Sequence, residues 1–106
     1  MPFRLFVLAS YERCLKKLER SQKKTAEIVV LSLLEYFKSA TIASAGPFIF
    51  HSHHRSYRLV FKKLQGNIWE AYVEGQVRIL TRLEGDIHHL VFVGNHDQVR
   101  QFLKED

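Results

Sequence analysis

Gln76-Val77-Arg78-Ile79-Leu80-Thr81-Arg82-Leu83-Glu84-Gly85-Asp86-Ile87-His88-His89-Leu90-Val91-Phe92-Val93-Gly94-Asn95-His96-Asp97 is the stretch that decides the fold. Strand-forming residues fill Gln76–Leu83 and Ile87–Val93, and Gly85-Asp86 between them carries the glycine that tight hairpins prefer. With Gly85-Asp86 as the hairpin loop, Arg82 faces His89, Leu80 faces Val91 and Arg78 faces Val93. Facing residues share a side of a sheet, which puts Arg78, Leu80, Arg82 and His89 together. Val77, Ile79, Leu83, Leu90 and Phe92 line the other, more uniformly apolar side, which is expected to pack on helices. His88 and His89 are strand neighbours pointing to opposite faces, so they form no chelating pair by themselves. Arg78 therefore projects from the open face, one step from the strand end that leads to His96.

Working backwards, Tyr57–Leu64 and Ile68–Val73 read as two further strands, with turns at Gln65-Gly66-Asn67 and Glu74-Gly75. Pairing across Glu74-Gly75 places Trp69 and Ala71 beside Arg78 and sends Glu70 and Tyr72 to the opposite face; a bulge at Gly75 reverses this assignment. His51-Ser52-His53-His54-Arg55 is expected to be a loop. Its histidines have no carboxylate or cysteine nearby and no evident fourth ligand, so no metal is expected there. Ala45-Gly46-Pro47 is expected to stop a helix that begins near a Thr25 cap and runs to about Ala43, with Ile28, Leu31 and Leu34 on its apolar face. A shorter helix is expected from a Ser10 cap to about Arg20, where Tyr11, Cys14, Leu15 and Leu18 recur at helical spacing. Phe3–Ala9 reads as a first strand. Past the meander, a short helix from about Asp97 carries Val99, Phe102 and Leu103. Asn95 or Asp97 can cap it, and Gln98 can complete a box with Asn95. The expected order is β-α-α-β-β-β-β-α, an α+β domain with an antiparallel sheet, an N-terminal helical hairpin and a short C-terminal helix.

A chain of 106 residues with 46% hydrophobic residues can build one domain with a single core. Its single cysteine, Cys14, excludes an internal disulfide framework and a thiolate-rich zinc site. The formal charge of +5 favours polyanionic or acidic partners, although a merely soluble basic surface has the same arithmetic. No apolar run is long enough to span a membrane and no signal peptide is evident, so a soluble, cytoplasmic protein without a membrane partner is expected.

Lys62-Lys63-Leu64-Gln65-Gly66, Trp69-Glu70, Val77-Arg78-Ile79-Leu80 and Val93-Gly94-Asn95-His96-Asp97 together resemble the RelE/ParE toxin superfamily of bacterial toxin–antitoxin systems. The likeness extends over about residues 3–103 and is most specific over 58–103. It implies a single toxin domain at residues 1–106 with a RelE-like fold, neutralised by a cognate antitoxin protein. RelE-type relatives are ribosome-dependent mRNA endonucleases, whereas ParE-type relatives act on DNA gyrase without nuclease chemistry. By the resemblance, Arg78 matches the arginine that contacts the scissile phosphate, and His96 the residue that assists proton transfer or phosphate binding. Many relatives continue His-Asp-x-x-Tyr; Arg100 stands at the tyrosine's place, and arginine holds phosphate but does not trade protons. Trp69-Glu70-Ala71-Tyr72 occupies the strand on which the family carries lysines. Basic help must then come from Lys62, Lys63, Arg58 or Arg82. These departures keep a second reading in view, a non-catalytic or ParE-like protein-binding toxin on the same scaffold.

Metal-independent RNA cleavage uses the adjacent 2′-hydroxyl as nucleophile. It needs a base, cations for the charge that develops on phosphorus, and an acid for the leaving 5′-oxygen. Arg78 offers a forked charge matched to phosphate, and His96 carries an imidazole, which can serve as base or acid. Asp97 or Glu70 can orient that imidazole or act as a weak base, and Arg100 can bind phosphate. Trp69, Tyr72 and Phe61 offer stacking surfaces for unpaired bases, while core packing is the simpler role for Trp69. No cofactor is required.

Overall fold

Alternation along the strands and helical spacing in two amphipathic segments produce a sheet with helices on both faces. The computed structural model describes residues 3–39 and 48–105. The elements are β1 (Arg4–Val7), α1 (Ala9–Lys16), α2 (Arg20–Lys38), β2 (Phe48–Ser52), β3 (Arg55–Gln65), β4 (Ile68–Tyr72), β5 (Arg78–Glu84), β6 (Ile87–Gly94) and α3 (His96–Glu105). They form one α+β domain with a six-stranded sheet in the order β1-β6-β5-β4-β3-β2.

Two features correct the expected sheet. It is mixed, because β1 lies parallel to β6 while every other pair is antiparallel. It also has one more strand than expected. Residues expected to form a loop instead make the β2–β3 hairpin, closed by a two-residue turn in which His53 and His54 have φ of 51° and 65°. Both values match the turn whose twist suits a hairpin, although neither residue is the usual glycine or asparagine.

The helix ends also differ from expectation. α1 begins after Leu8 without a side-chain cap, and the Ser10 hydroxyl donates to the Val91 carbonyl at 2.9 Å. α2 begins at Arg20, where Glu19 and Gln22 make the reciprocal box. Thr25 sits inside that helix and donates to the Ser21 carbonyl. α2 ends at Lys38, short of Ala43, which lies with the Ala45-Gly46-Pro47 stop outside the described residues. α3 is capped as the box reading anticipates: the Gln98 amide donates to Asn95 Oδ1, and the Asn95 amide to Gln98 Oε1, each at 2.8 Å.

The core lies on both sides of the sheet. On one side Tyr11 of α1 and Ala26, Val29, Leu33 and Phe37 of α2 pack on Leu59, Ala71, Ile79, Leu90 and Val93. Burial there pushes the Tyr11 hydroxyl pKa up to about 12. On the other side Val99, Phe102 and Leu103 of α3 cover Ile68, Leu80, Val91 and Phe92. A bulge divides the β5–β6 ladder: Thr81 pairs with Leu90, but Leu80 pairs with Phe92, leaving Val91 as the extra residue. Phe92 consequently joins α3's side, against the expected alternation, and Arg78 pairs with Gly94 instead of Val93.

Candidate functional site

The register places Arg78, Leu80 and Arg82 on the α3 side of the sheet, with Tyr72, Glu70 and Ile68 beside them on β4. This overturns the expected neighbours: Glu70 and Tyr72 share the face of Arg78, while Trp69 and Ala71 lie against the helices. The reason is the β4–β5 connection. It occupies all five residues 73–77 and contains Gly75 at φ 66°, so β4 enters the ladder with the opposite parity from a tight turn.

Arg78 is held on three sides. Its Cζ lies 3.8 Å from the Tyr72 ring centroid, and its Nη1 donates to the Gly75 carbonyl at 2.8 Å and the Val77 carbonyl at 3.2 Å. Among the described residues no carboxylate pairs with it. Neutral groups thus fix the guanidinium and leave its charge uncompensated, the arrangement suited to an incoming anion. Gly94, opposite on β6, adds no side chain over it.

Lys62 approaches the same tyrosine, with Nζ 5.9 Å from the ring centroid, and bridges to Glu70 Oε1 at 3.9 Å. The Glu70 side chain is only 6% exposed against 54% for Lys62, so the carboxylate is the floor of the site and the ammonium its rim. Alternation along β3 carries Arg58, Val60 and Lys62 to this face, and Ile49 pairs with Arg58 from β2. Away from α3, the open face is therefore a strip of cations around one tyrosine, with Glu70 among them.

The other candidates separate. Lys63 pairs with Trp69 on the helix side, away from Lys62. Trp69 is half-buried, its ring centroid 5.0 Å from Phe61 and 5.7 Å from His88, so it serves the aromatic core and is not presented to the open face. Arg82 pairs in the ladder with His89, whose Nδ1 lies 3.3 Å from the Arg82 carbonyl. His96 is the first residue of α3 and Asp97 the second; both are exposed, as is Arg100 one turn on. No hydrogen bond or ion pair orients the His96 ring among the described residues. The structure thus orders Arg78 on the open face and leaves His96, Asp97 and Arg100 exposed at the start of α3.

His88 and the loop histidines are accounted for otherwise. His88 is buried, lies 2.8 Å from the Thr81 hydroxyl through Nδ1, and stacks on Phe37. Burial, then repulsion from His89, pushes its pKa down to about 4, so it is a neutral core residue near pH 7. His51 Nδ1 lies 3.0 Å from the Ser56 hydroxyl across the hairpin. Among the described residues no group of three or more His, Cys, Asp or Glu is arranged to hold a metal, and no helix is long and apolar enough to cross a membrane.

Tyr72 is the residue that sequence reasoning undervalued. Its signal was the aromatic two positions beyond Glu70, which shares whatever face Glu70 takes. The chain matches no family model, no curated protein and no solved structure.

Proposed function

We propose that this protein is a RelE-like toxin of a type II toxin–antitoxin pair and cleaves mRNA on the ribosome without a metal. The observation that carries the proposal is the Arg78 guanidinium, stacked on Tyr72 and tethered to two carbonyls with no carboxylate to neutralise it. The sequence of strand, two helices, meander and terminal helix, together with the basic charge, supports the RelE-like assignment and an antitoxin partner. In the reaction the 2′-oxygen attacks phosphorus, forming the P–O2′ bond as the P–O5′ bond breaks. A base takes the 2′-hydroxyl proton, and an acid returns one to the 5′-oxygen. Arg78 binds the non-bridging oxygens as charge builds on them, Lys62 and Arg58 add field along the same face, and Glu70 and His96 are the candidate proton carriers. The products are a 2′,3′-cyclic phosphate and a free 5′-hydroxyl.

The test is mRNA cleavage by purified protein on translating ribosomes. Arg78→Ala is expected to lose about 100-fold or more in rate, the usual loss for one transition-state donor. A deoxynucleotide at the cleaved position should block the reaction. Cleavage that is indifferent to both changes would defeat the proposal.

A second reading is favoured by one observation: His96 is exposed with nothing among the described residues orienting its ring, and Arg100 stands one turn on. On that reading the chain is a ParE-like or non-catalytic toxin that binds a protein target such as gyrase. Growth arrest that persists in both Arg78→Ala and His96→Ala without RNA cleavage would select it.

A further inference from the structure

The cationic surplus of the chain is gathered on one corner of the helical layer, away from the open face of the sheet. Residues 12–24 hold six cations, Arg13, Lys16, Lys17, Arg20, Lys23 and Lys24, against two carboxylates, a surplus of four where the whole chain has five. All six are exposed, and among the described residues none of their side chains is in an ion pair or hydrogen bond. Of the two carboxylates, Glu19 is engaged in the cap of α2. Arg13, Lys16 and Lys17 follow i, i+3, i+4 spacing, as do Arg20, Lys23 and Lys24, so each triplet forms one stripe of like charge. Such stripes cost a helix a few tenths of a kcal/mol per pair. The dipole of α1 favours Arg13 and Lys16 in its last turn, but Arg20, Lys23 and Lys24 open α2, where the dipole opposes cations.

This corner borders the end of the sheet where Arg78 is anchored. Across a cleft, Gln22 and Thr25 of α2 face the β4–β5 turn, whose Gly75 and Val77 carbonyls hold Arg78. A second cleft joins Lys17 and Gln22 to Asn95 and Gln98, the cap of the helix that starts at His96. A third joins Lys24 and Thr25 to Arg55 and Tyr57 on the β2–β3 hairpin. Gln22 lines the first and second of these clefts and Thr25 the first and third, so the three adjoin around the sheet end, with Glu19, Glu27 and Glu74 in their walls and Lys17, Lys24 and Arg55 beside them.

We infer that the α1–α2 corner anchors the phosphate backbone of a single-stranded RNA that reaches it from the candidate site across these adjoining clefts. The inference rests on the nuclease reading for the identity of the strand, but its evidence is separate. In-line attack by a 2′-hydroxyl requires a strand free of helical geometry, and flexible lysines at helical spacing suit a mobile backbone better than a fixed fork. The anchor sets affinity; Arg78 sets the rate of the chemical step.

The test is fluorescence anisotropy with a non-cleavable 2′-deoxy-substituted oligoribonucleotide of about 12 nucleotides, titrated at several salt concentrations. Wild type is compared with a protein carrying Lys17→Gln, Arg20→Gln, Lys23→Gln and Lys24→Gln, whose fold is checked by its thermal transition. The expected result is RNA binding weakened about 10- to 100-fold at low salt, with the salt slope reduced by about 2–3, the share of four phosphate contacts to a single strand. Unchanged affinity and slope in the folded variant would overturn the anchor. So would a loss confined to vesicles containing phosphatidylglycerol, since the corner would then serve an anionic lipid surface. Corner-dependent RNA binding by a wild type that cleaves nothing supports the anchor and sinks the nuclease reading. Arg78-dependent cleavage with corner-independent binding does the reverse.

Discussion

At the scale of single residues, Arg78 is defined by what holds it. A guanidinium on a strand ordinarily samples many rotamers; here one aromatic face and two carbonyls restrict it. Tyr72 is then a positioning residue, worth about 0.5–2 kcal/mol of orientation. Tyr72→Leu is expected to lower kcat about 10-fold with little change in KM, while Tyr72→Phe stays near wild type. The accompanying signature, independent of activity, is loss of the ring-current shift on the Arg78 side-chain protons in NMR spectra. A retained shift in Tyr72→Leu would show that the ring does not hold the guanidinium. The face of Arg78 was legible in the sequence because β5 itself alternates without interruption; the bulge falls on β6 at Val91 and changes only its partner. Glu70 and Tyr72 were misplaced because their faces depend on the length of the 73–77 connection, which strand propensity does not report.

At the scale of elements, the β2–β3 hairpin is where local chemistry and fold disagree most. His53 and His54 occupy left-handed conformations that cost an L-residue about 1–2 kcal/mol each. Replacing them with Asn-Gly should stabilise the protein by about 1–2 kcal/mol, read from the urea midpoint. No gain would mean that the wild-type turn relaxes elsewhere. This pair also explains why β2 escaped notice: without the usual turn residues, Phe48–Ser52 looks like the approach to a loop, though its residues alternate half-buried and exposed. The cap of α3 was legible, because Asn95 and Gln98 stand at box spacing and both bonds form. Gly94 supports that cap. A Cβ there would lie 2.7 Å from Gln98 Oε1, so Gly94→Ala should break one bond of the box and cost about 1 kcal/mol in thermal stability.

At the scale of the whole molecule, the helix-facing core has a titratable centre. In the unfolded chain His88 titrates near 6.5; in the fold its pKa is about 4. Between those values the unfolded chain binds a proton that the folded one refuses. Stability is therefore intact above pH 6.5 and is lost as pH falls towards 4, by up to roughly 3 kcal/mol. Urea unfolding from pH 8 to 4 should show the fall, and His88→Gln, which keeps a polar partner for Thr81, should flatten it. An equal slope in the variant would place the titration elsewhere. Amphipathic spacing made the helices and the fold class readable in advance; the parallel β1–β6 contact was not, since nothing local in Arg4–Val7 names a partner so distant in the chain. That contact also governs timing during synthesis. Arg4 pairs with Ile87, and the Arg4 guanidinium bonds Asp86 at 3.1 Å, so the first strand must wait until residues 86–90 have left the ribosome. Until then Phe6 and Val7 have no strand beside them, and the nascent chain has neither a complete sheet nor the helix that begins at His96. The domain therefore cannot act before that stretch has emerged.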